Sequence, residues 1–390
     1  MRNQVISNAR QYMFPIALGI ATGLYPLFFY YTSNFTLVSS IKQLLFFVGL
    51  FLALPAAIFV FVQFVTRKTN KAVWRERLYT FFSVSFFLMF IQICLLAEAK
   101  PLYSFLIVLL GIAAAYLLYK FLRKIMALQY ILAFIGLFSL VPIVYKQLTY
   151  DSDWMKQPDA ITQAKFVTKP NVYYIQPDGY LNFSEIEKGA YQYKNNDFKQ
   201  FLEKNRFTLY DDFRSNYTAT LPSNASLFTM RHHYNNHGFN LSEVLNGREI
   251  VVTKNPVLDI FKNNGYKTYF LPEWPFFLTS FAEMGYDECN FTLEEDVSFV
   301  GKGYYKQKDI FEPLQTFMAE EIDQPKYFFL QVFSPGHVEF FEKDTEGIEE
   351  ERKQYLERLE ATNTKLEALI NTIVANDPSA IIAILSDHGG

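Results

Sequence analysis

Ala380-Ile-Ile-Ala-Ile-Leu385-Ser-Asp387-His388-Gly389 is an apolar run that breaks into a hydroxyl, a carboxylate, an imidazole and a glycine. A short apolar run bounded by polar residues reads as a buried strand. Ionisable groups just past the C-terminal end of a strand are where open α/β sheets gather ligand-binding side chains. The same pattern recurs upstream. Asn171-Val-Tyr-Tyr-Ile-Gln176 is an apolar strand halted by Pro177-Asp178-Gly179, and residues 326–333 run into Ser334-Pro-Gly-His337. Taken alone, Asp178 reads as a turn residue, because Pro-Asp-Gly is strong turn chemistry.

Between these strands the sequence alternates helix and strand. Asn255-Pro256 starts a helix with Asn as cap and Pro in the first turn, and Asn264-Gly265 ends it before a strand over 266–271. Residues 198–205 predict a short helix, and 206–213 an extended piece. Over residues 349–376, Tyr355, Leu359, Leu366, Leu369, Ile370 and Ile373 share one helical face and charges cover the other. The acidic run that opens this segment suits a helix N-terminus. Strands alternating with helices predict an α/β sandwich with a mostly parallel sheet. Residues 149–170 read as a polar linker leading into it.

The first part of the chain has another composition. Five apolar stretches, near residues 12–31, 41–65, 78–97, 102–122 and 127–145, are each long enough to cross a bilayer as a helix. More spans follow the first, and no small-residue cleavage site does, so it is not a removable signal. Arg2, Arg10, Arg67, Lys68, Lys71, Arg75, Arg77, Lys120, Arg123 and Lys124 fall before the first span and in alternate connections, whereas the others hold little beyond Lys42 and Lys100. The positive-inside rule then sets the N-terminus in the cytoplasm and everything after Tyr145 outside. Tyr30, Tyr31, Tyr145, Tyr150 and Trp154 suit the interfacial belt. Span centres carry Gln92 and Gln129 but almost nothing ionisable, which argues for an anchor rather than a transport pathway. The expected division is a transmembrane anchor over 1–148, a linker over 149–170 and an α/β domain over 171–390.

The net charge of −3 gives no electrostatic reason for a nucleic-acid partner. Cys94 and Cys289 fall in different parts of the chain and form no CxxC, so both read as inert thiols.

The segment Ser215-Asn-Tyr-Thr-Ala-Thr220-Leu-Pro-Ser223-Asn-Ala-Ser226 is a hydroxyl-rich turn before a helix. Together with Asp178 and Ser386-Asp-His-Gly at strand ends, it resembles the alkaline phosphatase and sulfatase superfamily. Five spans and an outward domain look, more narrowly, like its membrane-anchored phosphotransferases, the lipoteichoic acid synthases and phosphoethanolamine transferases. The resemblance implies that Asp178, Thr220, Asp387 and His388 bind a divalent metal, manganese or zinc, and that Thr220 is the nucleophile. It gives His337 the place of a substrate-binding histidine; its local motif fits a surface loop equally well. Sulfatases use Cys or Ser in a Cys/Ser-x-Pro-x-Arg motif converted to formylglycine. Here Thr220 and Asn224 occupy the first and last positions, and Thr cannot give that aldehyde, so phosphoryl transfer is favoured over sulfate-ester hydrolysis.

The expected activity is transfer of phosphoglycerol or phosphoethanolamine from a phospholipid donor to an envelope glycan or lipid through phospho-Thr220. A sulfatase- or phosphodiesterase-type hydrolase is the alternative, and a non-catalytic binding protein another. The expected location is a bacterial inner or cytoplasmic membrane, with the second domain facing the periplasm or cell exterior. The resemblance also implies sheet-closing elements and a further His ligand beyond Gly390, so the fold is expected to be incomplete there.

Ser223 and Ser226 read more simply as helix caps. His232, His233 and His237 form a cluster without a nearby carboxylate, more loop than metal site. The Asn-x-Ser/Thr sequons at Asn34, Asn182, Asn216, Asn224, Asn240 and Asn290 read as chance.

Overall fold

A computed structural model describes residues 2–38, 40–67, 72–232, 244–300, 306–337 and 347–389. The chain divides into two compact units, Met1–Tyr150 with Ser298–Gly303, and Asp151–Val297 with Tyr304–Gly390.

The first unit is helical. It contains α1 (Arg2–Ser33), α2 (Ile41–Val48), α3 (Leu54–Thr66), α4 (Ala72–Leu96), α5 (Pro101–Leu117) and α6 (Leu122–Leu148). Among the described residues, four helical stretches are long and apolar enough to cross a membrane: Gln11–Ser33, Ile41–Thr66, Ala72–Leu96 and Tyr119–Leu148. The expected span near 102–122 is the shorter apolar helix α5. It stops at Leu117 after 17 residues, the lower end of the roughly 17–25 residues a membrane-spanning helix takes. A 3-10 turn over Tyr119–Phe121 leads straight into α6, so Lys120, Arg123 and Lys124 sit on helical backbone rather than in an open connection.

Within Ile41–Thr66, α2 and α3 are joined by a π-helical turn over Gly49–Ala53, where Leu54 N–H bonds to Gly49 O. Pro55 has no N–H to give the preceding turn, and the wider turn accommodates that gap. Gly23 of α1 packs directly on this turn: a Cβ there would lie 1.6 Å from Phe51 O. Small residues at such crossings let helix backbones approach. Gln129 is a cross-link between helices, donating from Nε2 to Ser83 Oγ at 3.1 Å, while Ser83 lies 3.3 Å from Thr22 Oγ1. Residues 298–300 also belong to this unit. Phe299 stacks on Phe46 with ring centroids 4.9 Å apart, and Tyr30 OH donates to its carbonyl at 3.4 Å.

The second unit is the expected α/β sandwich. Its elements are β1 (Val172–Asp178), α7 (Phe183–Lys188), α8 (Asn196–Lys204), α9 (Thr220–Thr229), α10 (Gly247–Val252), α11 (Pro256–Asn263), β2 (Lys267–Pro272), β3 (Glu288–Cys289), α12 (Leu293–Asp296), α13 (Phe311–Met318), β4 (Lys326–Pro335), α14 (Ile348–Asn376) and β5 (Ile381–Ile384). The strands form one sheet in the order β3-β2-β4-β1-β5, every pair parallel. Asn255 caps α11 as expected, accepting from Leu258 N at 2.8 Å. Residues 206–213 form turns and irregular backbone instead of an extended piece.

Side chains alternate across the sheet. On one face Tyr173, Ile175, Tyr269, Leu271, Phe328 and Leu330 pack on α8, α13 and the Leu366, Leu369, Ile370 and Ile373 face of α14. Each such Leu or Ile contributes about 1.5–3 kcal/mol on burial. On the other face Tyr174 and Phe329 meet Phe228 of α9, and Tyr327 stacks on Phe261 of α11 at 3.9 Å. Burial pushes the Cys289 thiol up to about 12, which fits an inert thiol.

Candidate active site

Strands β4, β1 and β5 are neighbours, so the loops after their C-terminal ends are neighbours too. Those loops carry His337, Asp178 and Asp387-His388. The first two are locked together: Gly336 N donates to Asp178 O at 2.9 Å. Gly179 has φ +65°, and a Cβ on it would stand 2.6 Å from Gly336 O. Glycine is required there on both counts. The third loop ties to the first through Tyr180 N, which donates to Ser386 Oγ at 2.9 Å, and Gly179 N, which donates to Asp387 Oδ1 at 3.3 Å.

Thr220 arrives from the side, as the first residue of α9. The helix N-terminus places partial positive charge beside its hydroxyl and suits an anionic ligand. Thr220 Oγ1 lies 3.2 Å from both Asp178 Oδ1 and His388 Nε2. His388 Nε2 is 3.6 Å from Asp178 Oδ1 and 3.4 Å from Asp387 Oδ2. Asp178, Thr220, Asp387 and His388 are all buried, and the structure brings all of them together. His337 joins at the exposed side, its ring stacked on His388 with centroids 4.6 Å apart. Ligand atoms of Asp178, His337 and His388 fall within 4.8 Å of one another.

Electrostatics at this cluster suit a cation. Burial, and then the Asp178 charge, push the Asp387 carboxyl well above the ordinary carboxylate range. Asp387 Oδ2 is buried without a hydrogen bond, whereas Oδ1 accepts from His388 N at 3.0 Å. His388 Nδ1 sits 2.7 Å from Gly389 O. A carbonyl can only accept, so Nδ1 carries the proton and Nε2 presents its lone pair to Thr220 and Asp178. Metal-binding histidines are oriented by this kind of backbone contact. Two buried carboxylates, an inward imidazole lone pair and an orphaned carboxylate oxygen fit a divalent metal.

Sequence reading missed the support beneath Thr220. Gln176 of β1 donates to Asn224 Oδ1 at 2.9 Å, and Asn224 Nδ2 donates to Thr220 O at 2.9 Å. Asn224 is fully buried, so in the folded chain its sequon is closed to a glycan. Ser223 and Ser226 are not caps. They lie inside α9, where Ser223 Oγ donates to Tyr217 O at 2.8 Å and Ser226 Oγ accepts from Asn216 Nδ2 at 2.8 Å. His232 stands beside Tyr217, with ring centroids 6.2 Å apart; His233 and His237 lie outside the described residues.

A profile of the sulfatase family matches residues 170–390. No curated protein matches the chain. Among solved structures, the C-terminal periplasmic domain of EcEptC from Escherichia coli, in complex with Zn, is similar at 14% identity and a TM-score of 0.36, over 57% of this chain and 64% of that one. The integral membrane protein lipooligosaccharide phosphoethanolamine transferase A (EptA) from Neisseria meningitidis is similar at 13% identity and a TM-score of 0.39, over 97% of this chain and 82% of that one.

Proposed function

From the premise that this chain belongs to the sulfatase family, we propose that it is a membrane-bound, metal-dependent transferase of phospho-alcohol headgroups. The donor is a phospholipid carrying phosphoglycerol or phosphoethanolamine, and the acceptor is a hydroxyl on an envelope glycan or lipid. One observation carries the reading: a threonine hydroxyl at a helix N-terminus, buried 3.2 Å from both a carboxylate and an imidazole nitrogen.

Thr220 Oγ attacks the donor phosphorus, and its proton passes to Asp178 Oδ1, which already accepts its hydrogen bond. The bond from phosphorus to the diacylglycerol oxygen breaks in line, and His337 at the open side protonates the departing oxygen. The product is a phosphodiester on Thr220. An acceptor hydroxyl then attacks that phosphorus and loses its proton to His337, while Thr220 Oγ leaves and is reprotonated. Asp178, Asp387, His388 and Thr220 would hold manganese or zinc, which when bound supplies positive charge that lowers a hydroxyl pKa and offsets phosphoryl charge.

Residues 1–148 serve as anchor, 149–170 as linker and 171–390 as the catalytic domain in this reading. With α5 counted as a crossing, the bias of Lys and Arg to alternate ends of the apolar helices supports a multi-pass bacterial inner or cytoplasmic membrane protein with that domain outside. Substituting Thr220→Ala in the purified protein, and supplying fluorescent phosphatidylethanolamine and phosphatidylglycerol in turn, should cut headgroup release by roughly a thousandfold or more. Release at the wild-type rate by T220A overturns the proposal.

A further inference from the structure

Two of the three site loops are fastened from behind by one row of α14. Tyr355 is fully buried; its hydroxyl donates to Gly179 O at 2.9 Å and accepts from Leu181 N at 3.1 Å. One turn on, Arg358 Nε donates to Pro335 O at 2.8 Å and Nη2 donates to His337 O at 2.9 Å. One turn further, Thr362 Oγ1 meets Ser334 Oγ at 2.9 Å. Spacings of three and four residues put these side chains on one helical stripe. Tyr355 therefore grips the loop of Asp178, while Arg358 and Thr362 grip the loop of His337.

Of the three, Arg358 acts nearest to the chemistry. His337 is exposed, and its ring is steadied by stacking on His388. Its backbone is held by the guanidinium fork, which bonds two carbonyls flanking Gly336. Gly336 has φ +76°, a conformation glycine adopts without steric cost; its N–H is tied to Asp178 O, and Arg358 ties the carbonyls on either side of it. A planar fork reaches two acceptors at fixed spacing, which a single ammonium does not reproduce.

We propose that Arg358 is a positioning residue that sets His337 at the phosphoryl site by clamping the Pro335 and His337 carbonyls. The proposal rests on the transferase reading above and assigns Arg358 no contact with substrate.

The test is a double-mutant cycle in the full-length protein, with headgroup release from fluorescent phosphatidylethanolamine and phosphatidylglycerol as the readout. Arg358→Ala and Arg358→Lys are each made in the wild-type and His337→Ala backgrounds, and folding is checked by thermal unfolding. Displacing a catalytic group by about an ångström costs up to ~100-fold. The clamp predicts a kcat loss of roughly 10- to 100-fold for both Arg358 variants, with KM changed little, and no further loss when His337 is already Ala. A loss that persists in full in the His337→Ala background overturns it, as does a wild-type kcat in both Arg358 variants. Should R358A fail to fold, the Lys variant alone decides by the same criteria. T220A and H337A run alongside separate this result from the reading beneath it. If both keep wild-type release, the transferase site is wrong; if both lose it and the cycle is additive, only the clamp is wrong.

Discussion

Thr220 and Asn224 show how far single residues were legible. Thr220 could be singled out because its partners Asp178, Asp387 and His388 each follow an apolar strand, and parallel strands bring such ends together. Asn224 was legible only as a departure from the arginine of sulfatases. Its work depends on Gln176, 48 positions earlier in the chain, and on a carbonyl one helical turn back. No local pattern encodes such a pair. Asn224→Ala removes the hydrogen bonds to Gln176 and to the Thr220 carbonyl and leaves the buried Gln176 amide with the Tyr174 hydroxyl as its remaining partner. The expected cost is about 1–3 kcal/mol of unfolding free energy, with a fall in kcat because Thr220 loses its support. Urea unfolding and headgroup release measured on one preparation check both. Unchanged values in the two assays would show that the contact does not matter.

At the scale of elements, long amphipathic patterns were read closely. Helix α14 (Ile348–Asn376) buries Tyr355, Leu359, Leu366, Leu369, Ile370 and Ile373 as its periodicity demanded. Short or exceptional elements were not. Strand β3 has only Glu288–Cys289, too few residues for alternation to register. The π turn over Gly49–Ala53 lies in a uniformly apolar run, where hydropathy carries no phase. Arg358 looked like one more charge on a solvated face because its acceptors are backbone atoms of a distant loop. Gly23 was equally silent, yet it decides how α1 meets the π turn. Gly23→Val drives a side chain into backbone at Phe51, so the helices must separate. Size-exclusion chromatography and thermal unfolding in detergent should report less monodisperse protein and a clear drop in Tm. A variant as stable as wild type would contradict the close packing.

For the whole molecule, the sequence made the two compositions plain and the layered α/β unit predictable. The assignment of residues 298–300 to the helical unit was hidden, because Phe299 in the short run Val297-Ser-Phe-Val300 looks like any loop aromatic. Stability of the α/β unit should fall in acid for an identifiable reason. Partial burial alone would raise the Asp287 pKa, but hydrogen bonds from Thr268 and the Lys262 charge outweigh it and hold the carboxyl below its usual 3.8. A depressed carboxylate stabilises the fold above its unfolded pKa, and that contribution is lost as pH falls below 3.8 through the folded value. Asp287→Asn should flatten this part of the pH–stability curve; an unchanged slope below that pH would refute the assignment. The central claim concerns chemistry at Thr220, and a trapped intermediate tests it most directly. Purified protein is incubated with phosphatidylethanolamine or phosphatidylglycerol and manganese or zinc, without acceptor, then quenched in acid and digested for mass spectrometry. The account predicts a phosphoethanolamine or phosphoglycerol adduct on Thr220, absent with chelator and cleared by an acceptor hydroxyl. Headgroup release that proceeds with Thr220 unmodified, or an adduct on another residue, would contradict it.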